Sequence, residues 1–313
     1  MSDVLKFIAS LKITLIGLFL LAVGIVFILQ QWKNPTIAIL PGFIVLLINL
    51  GIAILVKEKI RNNSPLLFFH LSLLCLMLLI LSSRLTYLKG WVELDEGEVF
   101  SSLTGILHSG PMHPDDFSQV AFKQLHFTTR IEEGTRKETQ SVIGLPISRK
   151  EFLLSDQTPL TLANYQFTLS SHIGYSILLS WQGEHGFQLG SIKLPPYQRD
   201  RMLAREWILP GTELKVWIML DMDNSRSMAG DFALPEDYQL VLRYEQQRYQ
   251  IKPGESHCLA QGCLTFRGLK RWIGYDVFYD WAIPWLIVTC LSAILSLGVF
   301  LWQKSSQSDW DSG

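Results

Sequence analysis

Apolar residues in this chain gather into four long blocks, and an alternation of apolar and polar positions fills the space between the third and the fourth. A helix rises about 1.5 Å per residue and a bilayer's hydrocarbon core is about 30 Å thick, so roughly 20 mostly apolar residues suffice to cross it. Four segments meet that requirement: 13–32 (ITLIGLFLLAVGIVFILQQW), 34–56, 62–83 and 281–303. The first is too long for a removable signal peptide and lacks a small-residue cleavage site after it, so it reads as a retained span. The pattern predicts an integral membrane protein with four transmembrane α-helices in a three-plus-one arrangement. Residues 1–85 form an N-terminal membrane domain, 86–280 an extracytoplasmic domain between helices 3 and 4, 281–303 the last span, and 304–313 a short, loose tail.

The intervening region is expected to be β-rich. Tyr165 to Trp181, Glu213 to Leu220, Tyr238 to Ile251 and Leu264 to Phe278 carry strand chemistry, while Pro195-Pro196, Pro210-Gly211 and Pro253-Gly254 punctuate it. An antiparallel sandwich or barrel-like fold follows. Glu93 to Glu98 (ELDEGE) and Asp221 to Asp223 read as solvated turns rather than as acid or metal sites.

Charge changes the picture by giving an orientation. Lys6, Lys12, Lys57, Lys59, Arg61 and Lys304 fall on one side of the spans, against Lys33, Arg84 and Lys89 on the other. The positive-inside bias then puts both termini in the cytoplasm of a bacterial-type inner membrane and the large domain in the periplasm. Trp32, Trp281, Trp285 and Trp302 fit the aromatic belts at the headgroups. A net charge of −1 gives no reason to expect nucleic acid as a partner.

Familiar catalytic signatures are missing: there is no phosphate-cradling glycine loop, no HExxH, no GxSxG, no CxxC and no CxxCH. Cys258 and Cys263 (CLAQGC), in the exported region, suit a small disulfide loop, with thiol exchange as the other reading. Cys75 and Cys290 sit inside spans and read as small apolar fillers. His108, Met112 and His113 (HSGPMH) offer soft and borderline metal ligands, although surface histidines are far commoner than copper sites.

His70 stands apart because it lies within the third span (PLLFFHLSLLCLMLLI) with no charged residue beside it. An ionisable residue inside a membrane is a functional hypothesis by default. The bland reading is a hydrogen bond to a neighbouring helix. The sharper one is axial ligation of haem iron, for which neutral imidazole is the usual ligand. None of the other six histidines is in a span, so a second axial ligand must come from another chain, or the iron stays five-coordinate.

FIASLKITLIGLFLLA, FHLSLLCLMLLI, GWVELDEGE and LKRWIGYDVFYDWAIPWLIVTCLSAILSLGVFLW resemble, in that order, the opening segment, the third helix, the start of the exported domain and the run into the last helix of the ResB (CcsB) family of System II cytochrome c biogenesis. Trp281-Ala282 departs from the proline-glycine expected after the aspartate, and the exported domain is compact. The resemblance implies that His70 is a haem axial ligand and that the chain works with a multi-span CcsA/ResC-like partner. It also implies delivery of haem across the membrane for attachment to apocytochrome c, with thiol-reducing membrane proteins as further partners. The covalent step would belong to the complex, so the chain alone is not read as an enzyme. A membrane-anchored β-rich scaffold or sensor, and a b-type haem subunit, stay open as other readings.

Overall fold

The computed structural model describes residues 3–30, 35–114, 116–132, 135–146, 150–183, 186–198, 202–222 and 230–311. Trp32, Lys33 and Asp223, named above, lie outside them. The chain divides into a helical unit, Met1–Leu88 with His108–Pro114 and Tyr279–Gly313, and a β-rich unit, Lys89–Leu107 with Asp115–Phe278.

The helical unit contains α1 (Asp3–Ile8), α2 (Leu11–Leu29), α3 (Pro35–Val56), α4 (Glu58–Arg61), α5 (Ser64–Thr86) and α6 (Ile283–Asp311). Four stretches, Leu11–Leu29, Ala38–Val56, Ser64–Thr86 and Ile283–Ser306, are long and apolar enough to cross a membrane. Phe19, Leu29, Ile294, Leu295 and Trp302 are exposed on them, so the chain itself leaves much of their apolar surface uncovered. Lipid, which needs no polar outer face, suits such helices.

Local chemistry sets their ends. The third helix begins at Ser64 because the Asn63 side chain accepts the Leu66 N–H at 3.1 Å and Pro65 occupies the first turn, where its missing N–H costs nothing. The last helix is prefaced by Asp280, whose carboxylate accepts the Ala282 N–H at 2.9 Å. That helix runs past Lys304 to Asp311, correcting the expected loose tail: neither glycine nor proline interrupts KSSQSDWD. Just ahead of the first block the chain breaks between α1 and α2, with Ser10 extended. Asn49 of α3 meets two carbonyls there, donating to Ile8 O at 2.5 Å and to Ser10 O, which also accepts from Ile13 N–H, at 3.2 Å, while accepting from Thr14 Oγ1 at 2.9 Å.

Small residues bring α2 and α3 together. A Cβ on Gly24 would lie 2.3 Å from the Ala38 carbonyl oxygen, and one on Gly42 would lie 2.7 Å from the Leu21 nitrogen. The backbones therefore touch at these positions, the usual solution where lipid supplies no hydrophobic drive between helices. The α5 and α6 helices are joined by Ser72 to Ser292 at 3.0 Å, and Ser83 donates to Asp280 at 2.8 Å.

The β-rich region between the third and fourth apolar helices runs through β1 (Leu88–Asp95), β2 (Gly105–Ser109), β3 (Lys123–Glu132), β4 (Thr135–Leu145), β5 (Lys150–Ser155), β6 (Leu160–Leu162), β7 (Tyr165–Gly183) and β8 (Gly186–Lys193). It continues with β9 (Ala204–Ile208), β10 (Lys215–Met222), β11 (Gly230–Asp231), β12 (Tyr238–Tyr244), β13 (Gln247–Ile251), β14 (Ser256–Leu259) and β15 (Gly262–Tyr279). One sheet has the order β2-β1-β15-β7-β6, with β8 added beside β7 and β14 beside β15. Two others have the orders β13-β12-β10-β9 and β11-β3-β4-β5.

Period-2 patterning explains most of these strands: in β3 Phe127, Thr129 and Ile131 are buried between exposed neighbours, while a register shift between Gln124 and His126 puts the buried Gln124 out of phase with them. The centre of β7 departs from that rule, being buried almost continuously from Ile173 to Trp181, as a strand covered on both faces must be. Its core is aromatic. Phe122 stacks on Phe100 at 5.3 Å and meets Phe167 edge-on at 5.0 Å, and Tyr175 stacks on Phe232 at 4.7 Å. The Tyr275 hydroxyl of β15 meets Ser141 of β4 at 2.6 Å and donates to Gln124 of β3, pinning one sheet to another. Burial raises the Tyr275 pKa far above the ordinary phenol value, so it acts only as a neutral hydroxyl.

Candidate functional site

His70 lies on α5 five residues past Pro65, about 8 Å along the axis from it. Its Nδ1 is 2.7 Å from the Leu66 carbonyl oxygen one turn back. A carbonyl only accepts, so Nδ1 is the donor of this bond. The ring is further held edge-on to Phe69, with centroids 5.4 Å apart. This is a half-buried imidazole held through Nδ1, with Nε2 on the ring's other side.

At 100° per residue, His70 falls between Leu66 and Leu67 around the helix, while Ser72 and Ser83 fall on the opposite side. Leu66 and Leu67 pack on Ala9, Ala53 and Ile60, and Ser72 faces α6. The histidine is therefore set toward the α3 side. Among the described residues no other histidine lies on an apolar helix. His113, whose Nδ1 meets the Thr86 carbonyl at 2.8 Å and whose ring packs against Tyr279, sits at the far end of α5. Sixteen residues separate Thr86 from His70, about 24 Å of helix, so the two imidazoles cannot share one iron.

The remaining sequence candidates are placed as follows. His108 is exposed on β2 and Met112 is exposed in the segment after it. No three His, Cys, Asp or Glu side chains converge on a metal position among the described residues. Cys258 and Cys263 are opposite one another in the β14–β15 register and are disulfide-bonded, closing the turn that carries Ala260 and Gln261. Cys75 and Cys290 are exposed on α5 and α6, so they fill no interior gap, contrary to the expectation for small apolar residues.

The largest correction concerns ELDEGE, which is not a solvated turn. Glu93 and Asp95 lie within β1, where Val92 and Leu94 turn into the core and the acids occupy the other face. Asp95 is 3% exposed and accepts hydrogen bonds from Ser176 Oγ at 2.5 Å and Ser191 Oγ at 2.6 Å. Glu98 accepts from the Asp95 N–H at 2.7 Å and from Lys193 Nζ at 2.9 Å. Glu96 takes a two-pronged bond from Arg271, at 2.5 and 3.2 Å, and that guanidinium also lies 4.9 Å over the Phe127 ring. Gly97, at φ +87°, makes the reversal that returns Glu98 to the network.

Burial raises the Glu93 pKa above its ordinary value even though Lys193, His172 and Arg205 pull it down. The cluster cross-links β1, β7, β8 and β15 through charge-assisted hydrogen bonds. It holds no nucleophile poised on a base, and its chemistry is that of a structural lock. The alternation of Glu93 and Asp95 about Val92 and Leu94 was a strand signal in the sequence, overridden there by the density of acids.

No protein-family model matches the chain, and no curated protein matches it, so the resemblance to the ResB family rests on the four segments quoted above.

Proposed function

We propose that this chain spans a bacterial-type inner membrane with both termini in the cytoplasm and its β-rich region outside. There, with a multi-span CcsA/ResC-like subunit, it takes up haem as cargo and passes it outward for attachment to apocytochrome c. The observation that carries this reading is His70: the one imidazole on an apolar helix among the described residues, its Nδ1 donating to Leu66 O, which in the neutral ring leaves the Nε2 lone pair for a metal. That is the tautomer an axial ligand needs, because the hydrogen bond at one nitrogen raises the basicity of the other and fixes the ring's direction.

The apolar surface around His70 suits a porphyrin face, and the exposed outer surfaces of the four helices leave room for a second membrane subunit. A transfer site should bind moderately. One imidazole from this chain, completed by one from the partner, gives a ligand set that can be opened by exchange of either. The β-rich unit would hold the receiving end of the complex, its Glu96–Arg271 and Asp95–Ser176 bonds keeping the strands in register during that exchange.

The test is the visible absorption spectrum of the chain purified in detergent with its partner, for the natural protein, His70→Ala, and His70→Gly with added imidazole. Loss of the haem bands in both variants, with recovery by imidazole in the glycine variant, is expected. An unchanged spectrum in His70→Ala, or no haem in the natural complex under adequate haem supply, refutes the reading and favours a membrane-anchored scaffold.

A further inference from the structure

A concave surface of the β-rich unit lies between two sheet edges. Among the described residues β8 pairs only with β7, and β9 only with β10, so each ends its sheet. Arg205 of β9 donates to the Lys193 carbonyl of β8 at 2.8 Å, bringing the two edges together at one end. Beyond that contact the surface opens into a groove of about 620 Å³ and a second hollow of about 190 Å³, which share Trp181, Gln188 and Pro210 as walls. Trp207 closes the smaller hollow, while Glu213 and Gln261 border the larger.

This groove is rigidly built. Trp181 is 3% exposed, and a Cβ on Gly183 or Gly262 would come within 2.5 or 2.7 Å of its indole, so backbone clamps that ring from two sides. Gln261 projects from the turn closed by the Cys258–Cys263 disulfide. Phe187 and Leu189 of β8 and Ile208 of β9 are exposed along the same two edges. Natural edge strands are usually blunted by charge, proline or a covering element, and a β8 of sequence GFQLGSIK is blunted by none of these over its first seven residues.

We infer that this groove binds an extended, basic polypeptide segment, which adds as a strand to the β8 edge and lays side chains over Gln188 and Trp207. The main-chain groups of an edge strand give affinity for any extended chain, and the hollows beside it select alternate side chains. Charge chooses the sign: Glu213, exposed on the rim of the larger hollow, is the one ionisable group lining either hollow among the described residues, and the half-exposed Trp207 of the smaller one offers an indole face to a cation. A segment matching the eight residues of β8 would extend about 26 Å. The inference stands on the β-rich unit alone and holds whether or not His70 carries haem.

The test uses the full chain in detergent and fluorescein-labelled peptides of about ten residues read by anisotropy, with empty micelles as the blank. A Lys–Val alternating peptide should bind saturably. Its Glu–Val counterpart, and the Lys–Val peptide N-methylated at every second residue, should each bind at least about tenfold more weakly, the latter because several backbone hydrogen bonds are lost together. Glu213→Gln should weaken the Lys–Val peptide about threefold at low salt and have no effect at high salt, as a solvent-exposed charge pair requires. Equal binding of the N-methylated peptide, equal binding of the acidic peptide, or displacement of the peptide by lysine amide at similar concentration would each overturn the proposal. The N-methyl comparison needs no protein variant and is therefore independent of folding defects.

Discussion

Substituting the two serines that hold Asp95 separates a buried charge-assisted hydrogen bond from an exposed one within a single carboxylate. Ser176 is completely buried on β7, whereas Ser191 is exposed on β8, and their Oγ atoms lie 2.5 and 2.6 Å from the two oxygens of Asp95. Ser176→Ala leaves one carboxylate oxygen without a donor in a place water does not reach, which costs about 1.5–3 kcal/mol for a hydrogen bond to a charged group. At Ser191→Ala water replaces the lost hydroxyl, so the cost falls to about 0.5–1 kcal/mol. For a unit of this size each kcal/mol moves the midpoint by about 2–4 °C, so Ser176→Ala should lower it by about 3–12 °C and Ser191→Ala by at most about 4 °C. The double variant should cost more than the sum, because the second loss strands a carboxylate already short of one donor. Urea and thermal unfolding of the detergent-solubilised chain, followed by tryptophan fluorescence, give all four corners of the cycle. If Ser191→Ala costs as much as Ser176→Ala, or if Ser176→Ala costs less than about 0.5 kcal/mol, Asp95 is not the buried anchor described above.

Glu93→Gln tests the neighbouring acid. A carboxyl whose pKa is raised on folding contributes stability that is present below its ordinary value of 4.5 and is lost as pH rises through the folded value. The amide removes the cost of burying a charge, so the variant should melt higher than the natural chain at pH 7 and equally at pH 4; a lower melting point at pH 7 would show that the attraction of Lys193 outweighs burial. In the helical unit, Gly24→Val drives a side chain into the Ala38 carbonyl, and overpacking of this kind costs about 1–3 kcal/mol. Gly51→Ala, on α3 with open space around it, should be neutral or stabilising, and equal effects of the two in a denaturing-detergent titration followed by circular dichroism would remove the close α2–α3 seam.

Much of the architecture is a local property of the chain and could be read directly. An apolar run of about 20 residues forms a helix wherever it sits, since its own backbone hydrogen bonds satisfy it. The four long helices follow from that, and the β-rich region between the third and fourth from the short alternating runs that fill it. His70 was equally legible, because a lone imidazole in FFHLSLL is conspicuous by type and place. Its Nδ1 partner, Leu66 O, is one turn away and also local.

What tertiary structure decided depends on partners far along the chain. Asp95 meets serines 81 and 96 positions away, and Glu96 meets an arginine 175 positions away, so no window over ELDEGE could distinguish a buried lock from a solvated turn. Asn49 likewise reads as an incidental polar residue until the break between α1 and α2, 39 and 41 positions earlier, turns the Ile8 and Ser10 carbonyls toward it. Short-range pattern fixes which face of an element is apolar, but only the packing of distant strands determines whether a polar group opposite finds water or a partner. The four helices and His70 were therefore written in the sequence alone, whereas the acid network of β1 and the groove between β8 and β9 exist only in the folded chain.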